Sequence, residues 1–243
     1  MSGGSITECT AHDSDLSIST STGGGVHIRN GGSFTMSGGT IQNCKSSGDR
    51  AYGGGVYVGT GQFTMNGGSI AGCRAEGTSV SEKFAWGGGV YNNGGSFTMN
   101  DGTIASDCTA DGSGGGVYNE KTLYANGGEI AGDVVNGIPG QTTGTITGSG
   151  GTKFSGKVTN NKDDSGNKSV IECGTFNGPV TNYGSITGGT FNGTVTNKGA
   201  ITGGMFNDSV VAEASDEDTF LEALADKNVT TIKLKDSITV KAT

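Results

Sequence analysis

Short bursts of alternating apolar and polar residues, each closed by glycine, run through most of this chain, and the bursts themselves recur. The phrases Gly23-Gly-Gly-Val-His-Ile, Gly53-Gly-Gly-Val-Tyr-Val, Gly87-Gly-Gly-Val-Tyr-Asn and Gly114-Gly-Gly-Val-Tyr-Asn start 30, 34 and 27 residues apart. A period of two sends Val26, Val56, Val90 and Val117 to one face with Ile28, Val58, Asn92 and Asn119, and sends His27, Tyr57, Tyr91 and Tyr118 to the other. The valines are predicted inside and the tyrosines outside. A second phrase, Phe34-Thr-Met36, Phe63-Thr-Met65, Phe97-Thr-Met99 and the degenerate Leu123-Tyr-Ala125, turns Phe and Met inward and Thr35, Thr64 and Thr98 outward. A third, of the type Gly-Gly-Ser-Ile, carries Ile6, Ile41, Ile70, Ile104 and Ile130, followed by Cys9, Cys44, Cys73, Cys108 or, in the last copy, Asp133. Each Cys and the small residue two places on, as in Cys73-Arg-Ala75, are expected inward.

Strand-like units repeating at this period mean stacked coils rather than one globular core. Like residues then sit above like residues, about 4.8 Å apart along the axis. The glycine pairs and triplets form corners, where a positive φ or a close backbone approach is needed. From about residue 146 the spacing shortens: Ile171, Ile186 and Ile201 recur every 15 residues, as do Phe176, Phe191 and Phe206, and Val195 and Val210. One Ile, one Phe and one Val per coil suit three very short sides, and Asn182 and Asn197 are placed to stack as amide ladders. Residues 136–153 and 161–169 read as a transition and an excursion loop. The end changes character. Ser215-Asp-Glu-Asp218 has capping-box form, and Phe220, Leu221 and Leu224 follow at helical spacing, which predicts a helix over about 216–226. Thr231-Ile-Lys-Leu and Ser237-Ile-Thr-Val alternate as strands. The pattern predicts an all-β parallel β-helix in three parts: 1–135 with repeats of about 30 residues, 136–211 with repeats of about 15, and 212–243 as a helix-plus-strand cap or the start of a further module.

Composition changes the picture little. Gly supplies 49 of 243 residues and 31% are hydrophobic, thin for a compact core but enough for a narrow inward column in each coil. A formal charge of −8 with no cluster of Lys or Arg argues against nucleic acid and against anionic membranes. No apolar run approaches the 18 or so residues of a spanning helix. The opening Met1-Ser-Gly-Gly-Ser-Ile6 lacks the form of a signal peptide and echoes Met36-Ser-Gly-Gly-Thr-Ile41, so it reads as repeat text from a longer protein.

Phrases such as Gly54-Gly-Val-Tyr, Phe63-Thr-Met-Asn-Gly-Gly-Ser-Ile and Gly189-Thr-Phe-Asn-Gly-Thr-Val-Thr-Asn give the chain a family likeness over nearly all of residues 1–211. It resembles the parallel β-helix repeats, of pectin-lyase-like fold, in large secreted and cell-surface bacterial proteins, especially adhesin-like proteins of gut-dwelling Gram-positives. The resemblance implies a right-handed coil and a non-enzymatic adhesin body or stalk, outside the cell or on its surface. Targeting and anchor segments would lie elsewhere in the parent protein, and no cofactor is implied. Its partners would be host or bacterial glycans or surface proteins, and the segment would be a monomer. The tail from Asp218-Thr-Phe-Leu-Glu-Ala-Leu looks like the cap that opens many such modules.

Polysaccharide lyases and hydrolases share this coil, and their chemistry needs carboxylates grouped outside adjacent rungs, often with calcium or a basic residue. The outward columns Ser33/Gln62/Ser96, Thr35/Thr64/Thr98 and His27/Tyr57/Tyr91/Tyr118 hold none. Asp49, Arg50, Glu76, Glu82 and Lys83 read as solvated loop charge, so no catalytic residue is assigned. His12 and His27 lack partners at ligand spacing, and no metal site is expected. A threonine column also occurs in ice-binding solenoids, though the rows beside it are irregular here. For Cys9, Cys44, Cys73 and Cys108 the choice lies between buried thiols and bridges across adjacent rungs, and parallel Cβ directions favour thiols. Cys173 has no evident mate. Aromatics give the one positive sign of recognition. Tyr52 and Trp86 directly precede the triple glycine in consecutive rungs, at the ends of the variable segments 45–52 and 74–86, and are expected side by side. With Tyr57, Tyr91, Arg50 and Lys83 they form a candidate glycan-binding edge, the rings stacking on sugars and Arg50 or Lys83 bonding hydroxyls or an acidic sugar. The alternative is that the two rings cover an apolar corner of the coil.

Overall fold

The inward columns become ladders of a right-handed parallel β-helix in the computed structural model, which describes residues 1–13, 19–79, 84–235 and 237. Val26 pairs with Val56, and the same column runs through Val90, Val117, Val134, Val158, Val180 and Val195 to Val210. These strands form a ten-stranded sheet from Val26–Ile28 to Thr231–Leu234. A fifteen-stranded sheet makes two further sides, with Phe63 against Phe34 and Phe97, and Ile70 against Ile41 and Ile104. Phe63, Met65, Ile70, Val56 and Cys73 are fully buried.

Where the coil narrows, the columns exchange occupants. Phe97 is followed in register by Leu123, Ile146, Ile171 and Ile186, while Ile130 is followed by Phe154, Phe176 and Phe191. The ring lost from one side at Leu123 is regained on the other at Phe154, so one ring again fills each of the narrower coils. Phe154, Phe176, Phe191 and Phe206 stack at 4.6 to 4.9 Å, within 11° of parallel.

The amide ladder is longer than the sequence suggests. Asn92, Asn119, Asn136, Asn160, Asn182 and Asn197 each pass a side-chain hydrogen bond to the next at 2.7 to 2.8 Å, and the spare N–H groups donate to corner carbonyls such as Ser169 O, 3.0 Å from Asn160. The triple glycine is explained by one corner. Gly53 has φ +64°, Gly54 lies against the backbone of Arg74, and a Cβ on Gly55 would stand 2.7 Å from Gly89 O.

The two segments read as variable loops are in large part strands. Lys45–Gly48 and Arg74–Gly77 join Thr10–His12 and Thr109–Ala110 in a four-stranded sheet, and Arg50–Tyr52 and Phe84–Trp86 join Thr20–Thr22 in a three-stranded one. Their inward residues, Ala51, Ala75 and Ala85, are fully buried but small, so the alternation carries little hydrophobic contrast. Arg50 and Glu76 are therefore strand residues, and Glu76 pairs with Lys45 at 3.0 Å. Thr145–Thr147 is likewise a strand within the segment read as a transition, with Ile146 buried.

Cys44, Cys73 and Cys108 are buried thiols that donate to carbonyls of the preceding coil, as in Cys73 Sγ to Ile41 O at 3.7 Å. Burial pushes the Cys44 thiol up to about 11. Cys9, expected buried, is exposed because its coil is covered on one side only.

The C-terminal helix spans Glu217–Ala225. Its capping box sits one residue later than the sequence reading places it. The carboxylate of Asp216 accepts from Thr219 N at 2.8 Å, Thr219 Oγ1 accepts from Asp216 N at 3.3 Å, and Ser215 bonds to Asp216 instead of capping. Thr231–Leu234 then adds to Val210–Ala214 as the last strand of the ten-stranded sheet. In the second strand read there, Ile238, Thr239 and Val240 lie outside the described residues.

Candidate functional site

Two strands of one coil meet at each triple-glycine corner, and the corner decides where their aromatic residues go. Tyr52 and Trp86 close the strands Arg50–Tyr52 and Phe84–Trp86 and lie in register, while Tyr57, Tyr91 and Tyr118 stack on the outer face of the ten-stranded sheet. The reversal at Gly53 and Gly87 folds both sets onto the same edge. Trp86 stands between Tyr52, at 5.4 Å and 26°, and Tyr118, at 5.3 Å and 20°. Tyr52 also stacks on Tyr91 at 5.1 Å, and His27 meets Tyr57 edge to face at 4.9 Å. The result is a continuous aromatic spine along the axis.

Tyr52 and Trp86 are neighbours, as the repeat spacing requires. The tyrosine column points outward but is not exposed throughout: Tyr91 and Tyr118 are each only 2% accessible. The cover comes from far along the chain. Ile138 packs in one buried cluster with the two rings, and its segment is braced by the later excursion, with Asn161 Nδ2 donating to Gly137 O at 2.8 Å and Gly140 N to Lys162 O at 3.0 Å. Trp86 is half-buried, and both faces of its ring lie against tyrosines. Arg50 is exposed, its guanidinium 5.6 Å from the centre of the Phe84 ring. Lys83 and Glu82 lie outside the described residues.

Sequence reasoning missed Glu120. It follows Asn119 in the fourth copy of the repeat, where Arg29, Gly59 and Asn93 stand in the earlier copies, and so variable a column carries no signal that one member turns back to the rings. The side chain turns back to the spine. Tyr91 Oη donates to Glu120 Oε1, Thr142 Oγ1 donates to Oε2 at 3.4 Å, and Asn93 Nδ2 donates to Tyr91 Oη at 3.2 Å. Glu120 is 4% exposed, and among the described residues no basic side chain forms an ion pair with it. Burial pushes its carboxyl above the usual carboxylate range, and burial, helped by Glu120, pushes the Tyr91 and Tyr118 hydroxyls up. The outer face thus carries a carboxylate that the outward columns alone did not reveal.

Around these groups lies a cleft of about 360 Å³, with Arg50 and Phe84 at its walls, Tyr52 and Trp86 beside them, and Tyr91 and Glu120 contributing to its lining. Its size is at the lower end for a small-molecule site. Among the described residues no group of three or more His, Cys, Asp or Glu is arranged to hold a metal ion. Comparison of the chain with protein-family models, curated proteins and solved structures gives no match.

Proposed function

We propose that this chain is a non-enzymatic stalk or adhesin body, a segment of a secreted or cell-surface bacterial protein. The observation that carries the reading is the unbroken ladder. Ten strands of one sheet give nine steps of about 4.8 Å, a rod of roughly 43 Å. Its coils are tied to their neighbours by valine, Phe/Ile and Asn columns, and a body whose coils hold only their neighbours keeps its length and presents attached groups at a fixed distance. The extracellular bacterial setting rests on the likeness of the repeats to those of surface proteins. No described helix is long and apolar enough to cross a membrane. The competing reading is a polysaccharide lyase or hydrolase. Hydrolysis of a glycosidic bond commonly works through a pair of carboxylates, and among the described residues the aromatic cleft is lined by one, Glu120, already held by Tyr91 and Thr142.

The test is a glycan and polysaccharide array probed with soluble chain, followed by product analysis of every bound polysaccharide. Retention without cleavage, or no retention, fits an adhesin body or a plain stalk respectively. Shortened or unsaturated products would overturn the proposal.

A further inference from the structure

We propose that the cleft beside Trp86 binds a primary alkylammonium group, with Glu120 as its counter-ion. This goes beyond the stalk reading and does not depend on it.

The argument starts from charge. Glu120 is almost fully buried, borders the cleft, and forms no ion pair with a described residue. A carboxylate removed from water costs free energy unless it is paired or protonated. Tyr91 supplies one close hydrogen bond, Asn93 a further one, and Lys121 attracts the carboxylate without forming an ion pair, but the Thr142 contact to Oε2, at 3.4 Å, is long and easily exchanged for a charged donor. An ammonium entering the cleft would give Oε2 a short charge-assisted bond and neutralise the buried charge. A neutral alcohol would supply a hydrogen bond without the charge.

The rings decide between ligand classes as well. A sugar that stacks needs a free aromatic face, and Trp86 has tyrosines on both of its faces. Ring edges do not attract cations, because the edge is the positive part of the aromatic quadrupole. The attraction must therefore come from Glu120, while the rings exclude water and lower the local dielectric, which strengthens that attraction. Arg50 sits at the wall over Phe84, where its charge opposes an incoming cation and would favour an anion. Its removal therefore has opposite effects under the two ligand classes.

Trp86 is the only tryptophan in the chain and lines the cleft, so its fluorescence reports on occupancy directly. The chain is titrated with n-butylammonium, with n-butanol as the neutral analogue and with glucuronate as the acidic sugar. The expected result is a saturable response to n-butylammonium, none to the other two, a weakening of about tenfold or more in Glu120→Gln, and a strengthening in Arg50→Gln. Thermal melts of both variants establish that they are folded, and Arg50→Gln alters an exposed side chain outside the core. No saturable response to n-butylammonium, an equal response to butanol, unchanged affinity in folded Glu120→Gln, or glucuronate binding that Arg50→Gln weakens would each overturn the proposal.

Discussion

The wide coils before about residue 135 and the narrow coils after it share their valine column and exchange two others, and they differ in what surrounds them. In the wide part a coil has two extra sides, and these carry Tyr52, Phe84 and Trp86 to the edge where the cleft forms. In the narrow part the coil is reduced to Ile, Phe and Val–x–Asn sides, and stacked rings and amides fill it. The difference teaches that the scaffold and the candidate site are built from separate residues. The ladder persists when the extra sides are gone, while the cleft exists only beside them.

The largest expected effect is a charge in the core. Phe63→Asp and Phe176→Asp each place a carboxylate in a fully buried column and should cost on the order of 3 kcal/mol or more. Phe176 should be the worse site. It stacks at 4.6 and 4.7 Å between Phe154 and Phe191 in a coil with few other apolar residues, whereas Phe63 shares its coil with Met65, Val56 and Cys73. Urea unfolding measures both, and a Phe176→Asp variant as stable as the parent would show that the narrow coils are not held by their ring stack.

Next comes the amide ladder, where burial separates two stacks of the same residue. Asn160→Ala breaks the bonds to Asn136 and Asn182 and leaves buried partners unsatisfied, at a cost of about 2 kcal/mol. Asn177→Ala breaks only an exposed bond from Asn192, of 2.8 Å, and should change stability by less than about 0.5 kcal/mol. Equal losses would show that the ladder's effect does not come from burial.

Trp86→Ala tests the spine of the wide part. The half-buried ring packs on Tyr52 and Tyr118, so its removal should cost about 2 kcal/mol, less than for a fully buried ring. That loss is several degrees in the thermal midpoint for a chain of this size. No change in melting would mean that the ring lies on the surface without supporting it.

These contrasts also show what the sequence makes legible. Columns such as Phe63, Ile70 and Val56 can be read because the same residue returns at the same place in each coil, and alternation assigns its face. The strands at 45–52 and 74–86 cannot, because Ser46, Ala51, Ala75 and Ala85 are buried without being strongly apolar. Alternation puts Tyr91 and Tyr118 on the correct face, but their cover, Ile138, comes from a non-repeating excursion whose path no period encodes. Glu120 is not legible, because its column, Arg29, Gly59, Asn93 and Glu120, has no regularity for it to break. The helix is legible from its apolar spacing, and its cap shifts by one residue because Asp216 and Ser215 are both competent caps.

A change at Glu120 is the most specific to the cleft. Burial pushes the Glu120 carboxyl above its ordinary value, so the folded chain holds that proton to higher pH than the unfolded chain does. Its contribution to stability is then fully present below the ordinary glutamate range and is lost as pH rises through the raised folded value. A glutamine side chain in its place would keep an oxygen to accept from Tyr91 Oη and an amide to donate to Thr142 Oγ1, without a charge to desolvate. Glu120→Gln should therefore melt with the parent in acid, where both side chains are neutral, and above it near neutrality, by roughly 1 kcal/mol or about 2 to 4 °C. Thermal melts across that interval, without added amine, measure the crossing. If the parent were the more stable at neutral pH, Glu120 would already be paired without amine, and the electrostatic distinction between the wide coils and the narrow ones would fail.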